Sequence, residues 1–402
     1  MPIIADRWPS HTTETRPWRS AHRGSRADRE TTVVRTAVPP VIRGARWAPP
    51  TAATAALLER SADALRALDA AHGSGLAALG GVLDRTEAVA SSRIEHESAS
   101  LDDLARALVG VRANAGATAM VRATGAIESL VAAADAGTIT EDALLDAHRR
   151  LMRHDPVDGR YAGRWRTVQN WIGGGPTPRL ADHVPPPPDL VPDLMADLLA
   201  FLARDDLHPI AQAAIGHAQF ESIHPFTDGN GRIGRALIAA VLRRRGVTRR
   251  VTVPIAAALV AERDRYFRHL TRYRGGFVDE WIRDVALAIG TVCDEAALTA
   301  LLLDEIADAR AATCRTGAHA VVARALGSDP FLTEDRLERV LRGDDALVET
   351  VVADLCATGV LRPVTERRRN QAWVAAAAVD EITAFGDRVH AAVRQRANRV
   401  GW

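Results

Sequence analysis

Lysine is absent from this 402-residue chain, and all 51 basic residues are arginine. That excludes chemistry built on a lysine amine: a Walker A lysine, the strand lysine of protein kinases, a Schiff base to pyridoxal phosphate, and a lysyl-adenylate nucleophile. A bound nucleotide must be held by arginine, main-chain amides and metal. Cysteine is scarce. Cys293, Cys314 and Cys356 are odd in number and form no CxxC pair, which argues against a disulfide framework or a structural zinc site and fits a reducing cytosol. No uninterrupted apolar run approaches ~18 residues, so no membrane span is expected. The longest candidate, around Val253 to Ala261, contains Pro254. The N-terminus has no continuous apolar stretch of the kind a secretory signal needs. A net charge of +1 gives no overall attraction to nucleic acid or anionic lipid. What remains is a cytoplasmic globular protein, long enough for two or three domains.

The first 50 residues carry nine arginines against Asp6, Glu14, Asp28 and Glu30, and residues 1–48 read as a disordered basic leader. Leu57, Leu58, Leu65 and Leu68 recur at helical spacing in a stretch over 51–83 that Gly73, Gly75, Gly80 and Gly81 should interrupt. Further helices are expected over 86–108, 115–134 and 141–152, the last capped by Thr140. An N-terminal helical region thus covers 49–112 and a core covers 113–312. Within the core, residues 158–178 are rich in glycine, aromatic and β-branched residues and read as a short hairpin flap. Helices resume over 190–204, 209–223, 232–245, 256–273 and 277–312. From 313 to 402 the order is helix, helix, then a two-stranded wing through Val360-Leu361, Arg367 to Asn370 and Trp373-Val374. That is the pattern of a winged helix-turn-helix.

The chemistry concentrates in His224-Pro225-Phe226-Thr227-Asp228-Gly229-Asn230-Gly231-Arg232-Ile233-Gly234-Arg235. Two strongly apolar helices flank it, so residues 228–231 form a glycine-rich bend that feeds a helix N-terminus. Amides there lack intrahelical partners and carry partial positive charge, which makes an anion site. Arg232 and Arg235 are three apart on one side of that cradle. Asp228 supplies a hard oxygen for Mg²⁺. His224 supplies an imidazole, the group suited to take a hydroxyl proton near neutral pH. Alone, each residue is an ordinary turn or helix residue. In twelve consecutive positions they make a base, a metal ligand, an amide cradle and two guanidinium groups.

This segment resembles the Fic-domain signature HPFx[D/E]GNGRxxR at every defined position. GRWRTVQNWIG (163–173) is similar to the family's flap. Pro185 to Pro188, AIGHAQFESI (214–223) and Tyr266 also fit. The resemblance covers about residues 50–300. It implies an all-α Fic fold with a short β-hairpin flap and a small α+β winged helix behind it. It also implies a protein adenylyltransferase that moves AMP from ATP, with Mg²⁺, to a hydroxyl of a target protein and of itself, releasing pyrophosphate. By position, His224 deprotonates the hydroxyl and Asp228 holds Mg²⁺. Gly229, Asn230 and Gly231 form the anion hole, Arg232 and Arg235 hold the outer phosphates, and Tyr266 joins the ATP site. The main chain of Arg166, Thr167, Val168, Gln169 and Asn170 would dock an extended target segment.

Ser91-Ser92-Arg93-Ile94-Glu95 resembles the family's inhibitory motif [S/T]xxxE[G/N], with Ser91 and Glu95 at the defined positions and His96 departing from it. The resemblance implies that Glu95 pairs with Arg235 and excludes the γ-phosphate. Other readings are a same-fold transferase with another donor, AMP removal, and a DNA-binding regulator acting through the winged helix. Asp344, Asp345, Glu349 and Asp354 oppose the last, and favour protein binding or homodimer packing for that module. His217 is read as a packing residue. The arginine clusters at 243–245, 249–250 and 367–369 are read as solvated surface.

Overall fold

A computed structural model of the chain describes residues 8–19, 25–70, 74–95, 101–108, 115–175, 177–315, 317–342, 345–364 and 371–400. Along the chain, β1 (Thr12–Pro17), α1 (Arg26–Glu30) and β2 (Val33–Val38) precede α2 (Ala52–Ala70), α3 (Ser74–Ile94) and α4 (Leu101–Leu108). Next come α5 (Ala115–Ala134), α6 (Glu141–Met152), α7 (Val191–Leu202), α8 (Pro209–Ile223) and α9 (Asn230–Arg244). They are followed by α10 (Ile255–Ala261), α11 (Arg263–Arg274) and the long α12 (Asp279–Thr313). The chain ends with α13 (Gly317–Ser328), β3 (Phe331–Thr333), α14 (Glu334–Val340), α15 (Asp345–Ala357), β4 (Leu361–Pro363), β5 (Ala372–Ala375) and α16 (Ala376–Val400). The fold is mainly helical, with two small sheets, and divides into two compact units.

The first unit comprises Met1–Ala62, Gly125–Val247 and Asp264–Leu287. Its centre is α8, in which every residue from Ile210 to Ile223 is buried. A helix that is apolar or paired on all sides belongs inside a bundle. Its polar side chains are therefore bonded: Gln212 donates to the Phe201 and Arg204 carbonyls, and Gln219 to that of Pro40. Trp281 on α12 donates to the Ala214 carbonyl at 2.7 Å, and the Tyr273 hydroxyl to Gln219 at 2.8 Å. Helix α9 lies close against α8 because Gly234 has no side chain; a Cβ there would collide with Glu221 and Phe220.

The basic leader, expected to be disordered, is ordered over its described residues. β1 and β2 pair antiparallel from Thr12↔Val38 to Pro17↔Val33. Ser25 caps α1 in a capping box with Asp28. The other Asp28 oxygen accepts from Thr177 and Arg179, and these bonds, with Ser25 first among them, hold its carboxyl well below the usual carboxylate range. The Asp197 carboxylate receives the amides of Ile42 and Arg43 at 2.7 and 3.1 Å. Trp8 packs edge-on against Phe201. Charge count pointed to disorder, but the leader places Trp8, Val34 and Ile42 in the core between its arginines.

Arg244 and Arg245 are likewise not solvated surface. Arg244 reaches the Leu202 and Arg204 carbonyls and Asp205, and Arg245 the Leu207 carbonyl and Gln212. Arg244 thus satisfies the last carbonyl of α7, and both arginines tie down the connection from α7 to α8.

The second unit comprises Asp63–Thr124, Thr248–Arg263 and Ala288–Trp402. The glycines at 75, 80 and 81 lie inside α3 rather than interrupting it. The helix over 86–108 divides between the end of α3 and α4, and Gly73 lies outside the described residues. A glycine costs a helix about 1 kcal/mol, and burial of Leu83, Ala88 and Ile94 outweighs it. Asp69 accepts the amides of Arg249, Arg250 and Val251, and Glu87 accepts that of Ala256 where α10 begins. Past α13, helices α14 and α15 are followed by β4 and β5, and β3 joins them in the order β3-β5-β4. Arg367 to Asn370 and Asp344 lie outside the described residues. Helix α12 is long and apolar enough to cross a membrane by length and composition, and half of its apolar stretch is buried within the protein.

Ile42 is fully buried. Ile42→Ala should lower the unfolding free energy by about 2–5 kcal/mol, read from urea denaturation. An unchanged midpoint would mean that the leader contributes no packing.

Candidate active site

Six residues, His224 to Gly229, join α8 to α9. The bend needs two left-handed residues. His224 has φ 49° and ψ 61°, and Gly229 has φ 77° and ψ 5°. Glycine reaches that region freely, whereas histidine does so only when its surroundings hold it.

Those surroundings are main-chain clamps. The amide of His224 closes the last turn of α8 on Phe220 at 2.8 Å. The Arg166 side chain, 3% exposed, donates through Nε to the His224 carbonyl at 2.8 Å. It also reaches the carbonyls of Pro186 at 2.6 Å and Val168 at 3.2 Å. The Arg166 amide donates to Pro225 O at 2.8 Å. Burial lowers the Arg166 pKa to about 10, so the guanidinium stays charged at neutral pH, facing the negative end of α8. Asn230 brackets Phe226, accepting its amide and donating to its carbonyl, both at 2.8 Å. Asn170 donates to the same carbonyl at 2.8 Å.

Past Gly229, the first helical bond runs from Ile233 N to Gly229 O. The amides of Asn230, Gly231 and Arg232 make up the first turn of α9 and precede that bond. Arg232 Nη2 lies 3.3 Å from Asp228 Oδ2, and Arg235 is 1% exposed. The Asp228 side chain is 53% exposed, and His224 Nδ1 lies 3.9 Å from Glu221. Burial, and then the charge of Asp228, raise the pKa of Asp158. The exposed Asp228 carboxylate, just before the N-terminus of α9, suits a divalent cation that takes its other oxygens from phosphate and water. No cluster of three or more potential metal-binding side chains occurs among the described residues.

Residues 138–242 match the family model Fic/DOC family. Over 156 residues the chain is 36% identical to "Protein adenylyltransferase Fic" of Nematostella vectensis, covering 37% of this chain and 32% of that protein. Over 152 residues it is 33% identical to the protein of the same name from Culex quinquefasciatus, covering 37% of this chain and 27% of that one. The chain thus spans about a third or less of the length of these relatives. Among solved structures, a Fic family protein from Desulfovibrio desulfuricans aligns with TM-score 0.52 and 22% identity, covering 82% of this chain and 98% of that one. A Fic domain containing signaling protein from Bacteroides thetaiotaomicron aligns with TM-score 0.50 and 18% identity, covering 61% and 97%. These two likenesses concern the fold.

Within the matched stretch, His224 and Asp228 lie on the bend, and Asn230 to Arg232 and Arg235 lie on the first turns of α9. The flap differs from a hairpin. Residues 163–175 contain one antiparallel bridge, Ile172↔His183, because three consecutive glycines at positive φ turn the chain away. Arg166, Gln169 and Asn170 direct their side chains to loop carbonyls, while Thr167 and Val168 are exposed. Tyr266 is 2% exposed. Its hydroxyl meets His217 Nε2 at 3.0 Å and its ring packs near Phe267 and Trp281, which makes it a core residue here. Ser91 is buried and Glu95 exposed at the end of α3, in the second unit; His96 lies outside the described residues.

Sequence reading passed over His148 on α6. Its Nε2 lies 3.0 Å from the Asp228 carbonyl, its Nδ1 accepts the Gly163 amide at 2.9 Å, and its ring stacks on Phe226 at 3.7 Å and 6°. Nothing in the spacing of a helical histidine 80 residues away could have signalled this.

Burial lowers the pKa of His148 to about 4, and those of His11 and His217 to about 3. Unfolding returns each to about 6.5, so the unfolded chain binds protons that the folded chain does not. Stability present at neutral pH is therefore lost as pH falls below about 6.5, by about 1.4 kcal/mol per pH unit for each histidine. Urea midpoints at pH 7 and pH 5 measure this, and equal midpoints would contradict it.

Proposed function

We propose that this chain is a protein adenylyltransferase that transfers AMP from ATP to a hydroxyl side chain of a target protein and of itself. The observation that carries the reading is the clamped bend, a six-residue loop that sets an imidazole at its start and delivers the chain into the first-turn amides of α9 at its end. The match of residues 138–242 to the Fic/DOC family and the similarity to protein adenylyltransferases support it.

In this reading His224 takes the hydroxyl proton as the oxygen attacks the α-phosphorus, and pyrophosphate leaves. The first-turn amides and the Gly229 amide receive phosphate oxygens. Arg232 and Arg235 hold the outer phosphates, with Arg232 moving from Asp228 to phosphate. Asp228 would hold Mg²⁺, which when bound neutralises phosphate charge. Such transfer depends on positioning and charge neutralisation. Thr167 and Val168, exposed residues of this stretch, are the docking edge for a target segment, with the Val168 carbonyl already held by Arg166. The three free thiols suit a reducing cytosol.

We further propose that Glu95 restrains the reaction by competing for Arg235, a role supported by the spacing from Ser91 to Glu95. Carboxylate and γ-phosphate have the same claim on one guanidinium.

Incubated with Mg²⁺ and each nucleoside triphosphate in turn, the Glu95→Gly variant should gain the mass of one AMP from ATP, faster than the unmodified sequence. His224→Ala in that background should slow the gain by about 10²–10⁴-fold. A gain from another nucleotide, or none, would reject the donor. Equal rates with and without Glu95 would reject the restraint.

A further inference from the structure

His148 lies outside the motif, yet three contacts fix it. The Gly163 amide can only donate, so Nδ1 is the acceptor and the ring proton sits on Nε2. Nε2–H therefore donates to the Asp228 carbonyl at 3.0 Å. The stack on Phe226 fixes the plane of the ring. Gly163 is shaped for this contact: at φ 71°, any Cβ would press on Arg149 and the Leu145 carbonyl. The side chain is buried, so water does not compete for either nitrogen.

The consequence lies one bond further on. A trans peptide is planar, so its N–H points opposite to its C=O. Drawing the Asp228 carbonyl towards α6 turns the Gly229 N–H away from α6. Gly229 is the residue least able to resist a flip of this peptide, because both signs of φ are open to it. A flipped peptide would present a carbonyl oxygen to the phosphates where an amide hydrogen is needed.

We propose that His148 is a positioning residue that locks the Asp228–Gly229 peptide in the orientation that offers its N–H to the nucleotide phosphates. This deepens the adenylyltransferase reading and rests on it for the identity of the anion. His148 touches no reacting atom; it acts through one main-chain plane.

Three substitutions separate the contacts. His148→Gln places an amide donor near the position of Nε2 and keeps the bond to Asp228. His148→Asn keeps an acceptor for Gly163 but falls short of Asp228. His148→Phe keeps the stack on Phe226 and loses both bonds. Each is made with Glu95→Gly and measured for ATP affinity by calorimetry, for amide hydrogen exchange over 224–233, and for transfer rate. His148→Asn and His148→Phe should each weaken ATP binding and slow transfer by about 10²–10³-fold, the range for losing one aimed amide donor. Loop exchange should rise in both, and His148→Gln should recover most of the loss. A purely structural role would make the three variants lose function in step with thermal stability. Wild-type ATP affinity and loop exchange in a folded His148→Asn or His148→Phe protein would overturn the lock. If one of the two fails to fold, the other gives the reading. Absence of AMP transfer in every protein, with the exchange difference intact, would remove the adenylyltransferase reading and leave the lock standing.

Discussion

The site depends on a bend held by its main chain. His224 occupies a left-handed conformation that a side-chain-bearing residue does not choose for itself. Arg166 and Asn230 hold it there, each bonding main-chain groups on or beside the bend, and His148 takes the Asp228 carbonyl. These bonds reach carbonyls and amides rather than the side chains at the bend. The cost of ordering the loop is met during folding, so a bound phosphate meets amides already aimed.

Bracing of carbonyls by a buried or part-buried arginine recurs elsewhere in this lysine-free chain. Arg166 serves α8, and Arg244 serves the end of α7. Arg204 reaches the carbonyls of Arg43 and Ala45, and in the second unit Arg336 reaches those of Ala325 and Phe331. A guanidinium is a rigid fork of five donors and can satisfy several carbonyls at once. Arginines grouped in sequence are therefore not always a solvated patch. In this protein several are internal braces, which is why reading Arg244 and Arg245 as surface failed.

Much of the candidate site was legible because its information is local. A base, a carboxylate, two glycines and two arginines within twelve residues constrain one another through the geometry of a turn and a helix N-terminus. Helices such as α6, capped by Thr140, were legible for the same reason. The leader was misread because net charge is a poor guide when a few apolar residues reach the core, as Trp8, Val34 and Ile42 do. Tyr266 was assigned by its place after the motif, and its burial against His217 shows that order along the chain does not fix which way a side chain faces.

By itself, then, the sequence determined which groups stand at the bend: the imidazole, the exposed carboxylate, the amides and the guanidinium pair. Tertiary structure alone decided what aims them. Arg166 lies 58 residues from His224 and His148 lies 80 from Asp228. The reason is physical: a turn's propensity acts over a few residues, but the orientation of a peptide plane answers to whichever donor is packed against it, however distant in the chain.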